Sequence, residues 1–186
     1  QLPNVTGVGI GEKNGKEVIK NLYYFPENQL LDCNQYIIED QDSKELALFD
    51  SGNGISLEGL FKGMEKLDLD YENITKVFLT HEHVDHVLGT YSLLGKLAKR
   101  PPKIFAYGET AKILRNGDES KIFPGNLGIS AGMFGIEITP IEVDDLTNIK
   151  EIQITSEFNF KIHYTPGHSL GSISYYESNK KILIPG

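Results

Sequence analysis

Apolar residues recur along this chain with two periods. Short runs, several rich in β-branched and aromatic side chains and bounded by Gly, Pro, Asn or Asp, occur at Glu17–Phe25, Gln35–Glu39, Leu46–Phe49, Lys76–Thr80, Lys103–Ala106, Ile136–Thr139, Phe158–Tyr164, Ile173–Tyr176 and Lys181–Ile184. Runs of that kind predict strands. Leu57, Leu60, Phe61, Met64 and Leu67 follow the spacing of one helix face instead. Val87, Leu88, Tyr91, Leu94 and Leu97 form a second such stripe, which must end by Arg100 because Pro101-Pro102 cannot continue a helix. A shorter helix is predicted over Glu109–Arg115. The stretch Asn116–Gly135 is the least regular, broken by Gly117, Gly125, Gly128, Gly132, Gly135 and Pro124; its apolar members include Phe123, Leu127, Ile129, Met133 and Phe134. Strands in hairpin order, followed by strand–helix alternation, predict an α/β (α+β) fold with a mixed sheet and helices packed on it.

Composition narrows the field. The chain has 186 residues, 39% hydrophobic and 24% charged, the balance of a globular protein. No repeat, low-complexity tract or linker divides it, so residues 1–186 read as one domain. The formal net charge of −8 argues against broad binding to nucleic acid or an anionic membrane. A single cysteine, Cys33, excludes an internal disulfide framework and a Cys-rich zinc module, and fits a reducing compartment, here the cytoplasm. No apolar run is long enough for a transmembrane span, and Gln1–Lys20 does not read as a signal peptide. The sequence neither requires nor excludes an oligomer.

Three of the five histidines fall within six residues, in Leu79-Thr80-His81-Glu82-His83-Val84-Asp85-His86. The run follows an apolar strand and precedes a helix expected to start near Val87. Residues two apart on an extended strand exit point to one side, so His81 and His83 can converge. Asp85 and His86 fall in the turn feeding the helix, and a carboxylate there suits the positive helix end. Imidazole nitrogens and a carboxylate at this density form a candidate site for Zn, Fe or Mn. Glu82 alternates with the two histidines and is expected to face away as a solvated charge.

A second motif, Thr165-Pro166-Gly167-His168-Ser169-Leu170-Gly171, puts His168 on a tight turn at a strand's end, where it can supply a further ligand. His163, inside the preceding strand, reads as structural. A third motif, Asp50-Ser51-Gly52, ends another strand. Asp50 can belong to the cap of the helix near Ser56 or act as a carboxylate that orients the ligand loop, and the two readings are compatible. Cys33 is remote from every motif in sequence and reads as a small buried hydrophobe.

In order and spacing, Asp50-Ser51-Gly52, His81-x-His83-x-Asp85-His86 and Thr165-Pro-Gly-His168-Ser-x-Gly171 resemble the metallo-β-lactamase superfamily, over Leu22 to Gly186. The resemblance implies a four-layer αββα sandwich with metals at one edge of its two sheets. It implies two divalent cations, zinc first among them, with His81, His83 and His168 holding one and Asp85 and His86 helping to hold the other. It implies hydrolysis by a hydroxide shared between the metals, Asp85 orienting that nucleophile and Asp50 supporting the ligands. The family also expects an Asp that bridges the metals directly after a strand like Ile182-Leu183-Ile184-Pro185-Gly186, and a further His later. The expectation is therefore a domain cut just before the bridging carboxylate. A small-molecule ester, thioester or lactone is the substrate class favoured. Two alternatives stay open: a mononuclear iron dioxygenase acting on persulfides, and an inactive fragment or metal-binding module. Phe123, Met133 or Phe134 can shape a pocket or pack against the scaffold.

Overall fold

A computed structural model describes residues 11–186 apart from 29, 30, 124, 126 and 127. Pro124 and Leu127 therefore lie outside the described residues. One sheet takes seven strands in chain order: β1 (Lys16–Ile19), β2 (Leu22–Phe25), β3 (Gln35–Glu39), β4 (Leu46–Phe49), β5 (Ile74–Phe78), β6 (Lys103–Ala106) and β7 (Asp144–Asp145). A second sheet holds β8 (Glu151–Thr155), β9 (Phe158–Tyr164), β10 (Ile173–Glu177) and β11 (Ile182–Ile184), all antiparallel. The helices are α1 (Ser56–Glu65), α2 (Val84–Lys96), α3 (Gly108–Asn116) and α4 (Glu119–Ile122).

Strands β1 to β4 pair antiparallel through short connections, and β4 to β7 pair parallel. Parallel neighbours need a crossover, and α1, α2 and α3 supply the three. The period-two pattern then divides the core. Ile37, Leu46, Leu48 and Val77 face the helices and pack with Leu57, Leu60, Met64, Val87, Leu88 and Leu114. Leu22, Ile38, Ala47, Phe49 and Phe78 face the other way, onto Ile154, Phe158, Phe160, Ile173 and Tyr175 of the second sheet. Phe49 stacks on Phe78 at 5.2 Å and meets Tyr175 edge-on at 5.2 Å. Each such buried ring contributes about 1.5–3 kcal/mol relative to leaving it exposed. The described residues thus build helices, sheet and sheet. The outer side of the second sheet presents the exposed Lys161, His163 and Leu183.

Several elements differ from the sequence reading. Glu17–Phe25 is a hairpin, not one strand, because Asn21 turns the chain with φ of 65°. Ile136–Thr139 forms no strand; Ile136 and Ile138 pack against the helical core, and the sheet edge is the polar pair Asp144–Asp145. Strand β8 was not anticipated: its Glu151 and Gln153 face outward and dilute the apolar signal. Within Asn116–Gly135, α4 and a 3₁₀ turn at Ala131–Phe134 interrupt the loop. Phe123 is buried, Phe134 packs on the same cluster, and Met133 is exposed, so the two aromatic residues support the scaffold.

Helix α2 presses on the turn after β4. Gly89 N–H donates to Gly52 O at 2.9 Å, and a Cβ on Gly89 would lie 1.9 Å from Ser51 O. Gly→Ala inside an ordinary helix gains about 0.5–1 kcal/mol. Gly89→Ala is expected to do the reverse, costing about 1–3 kcal/mol by overpacking. A urea midpoint equal to or above that of the parent would contradict this.

Candidate metal centre

The parallel strands β4 and β5 end at the same edge, and the motif residues follow them. Asp50 comes directly after β4 with φ of 56°, a left-handed backbone that Asp tolerates better than most residues. Its N–H donates to Phe78 O at 2.9 Å, which turns the carboxylate inward. There Oδ1 accepts from Thr80 N–H and Oδ2 from Thr80 Oγ1, both at 2.8 Å. Oδ2 also accepts from His86 Nδ1 at 2.8 Å.

These bonds set the ring tautomers. Thr80 Oγ1 has one proton and gives it to Asp50. At 3.1 Å from His81 Nδ1 it therefore accepts, so the proton of neutral His81 sits on Nδ1. His81 Nε2 then carries a lone pair, and that atom is buried without a hydrogen-bond partner. A buried acceptor of this kind is free to bind a cation. His83 and His168 lie beside it: ligand atoms of the three rings are all within 4.8 Å of one another, and His83 Nδ1 is 2.8 Å from His168 Nε2. Three imidazoles grouped in this way fit a tetrahedral cation that takes one further ligand.

A second donor pair adjoins the first, since the His81 and His86 ring centroids are 4.0 Å apart. With Nδ1 bound to Asp50, His86 turns Nε2 to within 3.4 Å of Asp85 Oδ2. A cavity of about 250 Å³ opens beside the pair, lined also by Cys33, Tyr36 and Gly186. Helix α2 begins at Val84, earlier than expected. Asp85 and His86 therefore sit in its first turn, and His83 is its N-cap residue without a side-chain cap bond, which leaves its imidazole available. The cap of α1 is not made by Asp50; Asn53 Oδ1 accepts from Ser56 N–H at 2.9 Å.

Two residues sit where the sequence does not place them. Glu82 is buried, not solvated: its Oε2 accepts from Thr110 Oγ1 at 2.7 Å and from Ser169 Oγ at 3.0 Å. Alternation correctly turns it away from the histidines, but the second sheet covers that side. Cys33 is buried as expected, yet not remote, for its thiol, Asp50 and His86 offer ligand atoms within 4.8 Å of one another. The register of β3 on β4 brings it there, and sequence separation hid it. Lys13 was also missed. Fully buried, it lies 2.9 Å from Asp32 Oδ2 and donates to Cys33 O and Gln35 Oε1, while Gln35 Nε2 donates to Asp50 O at 3.2 Å. His163 stands on the outward face of β9, apart from the other four histidines.

Two facing sheets with helices on one side and an imidazole-rich centre at one edge define a metallo-hydrolase type of scaffold. Residues 29–186 match the family model of the metallo-beta-lactamase superfamily, and the chain belongs to that superfamily. It is 29% identical over 147 residues to hydroxyacylglutathione hydrolase GloC of Haemophilus influenzae, covering 78% of this chain and 61% of that protein. It is 29% identical over 136 residues to ribonuclease Z of Methanocaldococcus jannaschii, covering 70% of this chain and 38% of that protein. The native FEZ-1 metallo-beta-lactamase from Legionella gormanii superposes with a TM-score of 0.69 at 18% identity, over 93% of this chain and 62% of that one; this likeness is one of fold. The chain spans about 60% of the length of such relatives as GloC and FEZ-1. No helix among the described residues is long and apolar enough to cross a membrane.

Burial, followed by repulsion from His86, pushes the His81 imidazole down to about 3. Burial also opposes the charged form of His86, but the Asp50 carboxylate and its hydrogen bond, aided by Asp85, outweigh it and lift the group to about 10. Burial and then Asp50 push the Cys33 thiol well up, so the sulfur carries its proton. The two histidines bend metal-free stability in opposite directions. His86 stabilises the fold below its unfolded value of 6.5, and that stability is lost as pH rises toward about 10. His81 stays neutral in the fold while the unfolded chain takes up a proton, so stability is lost as pH falls from 6.5 toward about 3. In chelator-treated protein, urea midpoints are expected to fall on both sides of pH 6.5, and Asp50→Asn to flatten the alkaline limb. An alkaline limb unchanged in that variant would remove Asp50 as the cause.

Proposed function

We propose that this chain carries the metal centre of a hydrolase that acts on a small ester, thioester or lactone. The single observation behind the reading is the buried, unpartnered His81 Nε2 beside His83 and His168. In this reading His81, His83 and His168 hold one divalent cation, and Asp85 and His86 hold a second. Zinc is the first choice for a set dominated by imidazole, with iron or manganese as alternatives. Bound metal of this kind supplies a Lewis acid and lowers the pKa of water toward neutrality.

The chain's own residues do the rest. Asp50 and Thr80 fix the rings of His86 and His81 so that each turns its Nε2 to the centre. Asp85, half-buried, accepts a proton or hydrogen bond from the attacking water and orients it toward the substrate carbonyl. No Ser or Cys nucleophile is called for, and protonated Cys33 packs beside the centre. The lone free cysteine supports a reducing compartment, the cytoplasm. The likeness to hydroxyacylglutathione hydrolase GloC supports a thioester. The ribonuclease Z relatives favour a second reading, a phosphodiester substrate. The net charge of −8 weighs against that reading for a polyanion.

Two measurements test this. Metal analysis of zinc-loaded protein is expected to show bound zinc that His81→Ala and His168→Ala release; retention in both variants would overturn the assignment of the first site. A panel of thioesters, lactones, esters and a phosphodiester is expected to give turnover on the carbonyl substrates, falling about 10²–10⁴-fold in Asp85→Ala. Full activity in that variant, or turnover of the phosphodiester alone, would contradict the reading.

A further inference from the structure

His168 stands on an exposed turn. Thr165, Pro166, Gly167, His168 and Leu170 are all exposed, and the His168 imidazole meets the rings of His81 and His83 edge-on, with Nε2 2.8 Å from His83 Nδ1. Within the turn, Thr165 N–H donates to Ser172 O at 3.0 Å and Tyr164 OH to Leu170 O at 3.1 Å. These bonds shape the turn but do not tie it to the loop that carries His81 and His83. Glu82 lies between those two histidines and points to the opposite side. Its Oε2 takes the hydroxyl proton of Ser169, the neighbour of His168, at 3.0 Å and that of Thr110, in the first turn of α3, at 2.7 Å. Ser169 Oγ is also 2.9 Å from Ser172 Oγ.

The fit around this carboxylate leaves no slack. A Cβ on Gly171 would lie 2.0 Å from Thr110 Oγ1 and 2.7 Å from Glu82 Oε2, so the turn approaches closely because residue 171 has no side chain. A buried, charged acceptor makes bonds about twice as strong as a neutral one, and losing them leaves the charge in a dry place.

We propose that Glu82 is a positioning residue that latches the His168 turn to the His81–His83 loop and thereby sets how firmly the three imidazoles hold a metal. The latch joins the first sheet, the second sheet and α3 at one buried oxygen. It rests on the metal-centre reading given above. Its effect differs from that of a ligand: removing it leaves all three rings present but lets His168 swing.

Zinc affinity measured by chelator competition on the full chain tests this, together with the absorption of the Co²⁺-loaded protein and the thermal midpoint of the metal-free protein. Ser169→Ala breaks the link from Glu82 to the His168 turn, together with the contact to Ser172 Oγ that Ser172→Ala removes on its own as a control. It is expected to weaken zinc binding about 10–100-fold, as loss of a group supporting a ligand does, to reduce the Co²⁺ visible bands, and to lower the metal-free midpoint less than Glu82→Ala does, since Thr110 still donates to Glu82. Glu82→Ala is expected to weaken zinc at least as much, and the double variant no more than Glu82→Ala alone. Glu82→Gln, which keeps one acceptor oxygen, is expected to restore most of the affinity. If Glu82→Ala does not fold, Ser169→Ala decides. Parental zinc affinity and Co²⁺ spectrum in Ser169→Ala would overturn the latch while leaving the metal centre standing. A parent protein that binds neither metal would overturn the centre, and the latch with it.

Discussion

Asp50 holds three elements together through one carboxylate. The end of β4, the exit of β5 at Thr80 and the first turn of α2 at His86 all meet at its two oxygens. A buried carboxylate is costly unless it is fully bonded, and here every bond comes from a residue of the candidate centre or its neighbour. The same bonds decide which nitrogen of His81 and of His86 faces inward. Stability and metal readiness are linked at His81, where the bonds that satisfy Asp50 also leave a lone pair on Nε2; His86, charged in the metal-free protein, must give up its Nε2 proton to bind a cation.

That arrangement depends on layers farther out. Lys13 is buried against Asp32 and bonds the chain just before β3, and Gln35 carries the support on to the Asp50 carbonyl. Gly89 allows α2 to approach Ser51, whose N–H and Oγ both donate to His86 O at 2.8 Å. From the other side, Ile173 N–H donates to Thr80 O at 2.9 Å and Tyr175 OH to Leu79 O at 2.9 Å, which docks the second sheet on the exit of β5. His168 reaches His83 because the two sheets are clamped there, with Glu82 between the loops.

How much of this was legible differs by element. Helices α1 and α2 announce themselves by one apolar face, and strands β3, β4, β6, β9 and β10 by short apolar, β-branched or aromatic runs, continuous in β4 because both of its faces are buried. Strand β8 is hidden, with polar residues on an open face, and β7 is two aspartates that pair only because β6 offers an edge. Ile136–Thr139 carries strand-like residues but spends them on the helical core. At the centre, the His81–His86 run and the Pro-Gly-His168 turn are visible as clusters of donor types. Glu82, Cys33 and Lys13 are not, since each has chemistry that reads as surface or filler until its covering element is known.

The sequence by itself determined the family and brought the candidate donor types together in two short motifs. Those properties are local: residue type, period and turn chemistry survive without knowledge of the rest of the chain. Only the tertiary structure decided that His81 Nε2 is free, that Asp50 bonds Thr80 and His86 while Asn53 bonds the first residue of α1, and that Glu82 faces a buried seam. Tautomer, burial and contact depend on residues 30 to 90 positions away, and a linear pattern carries no information about which of them arrives.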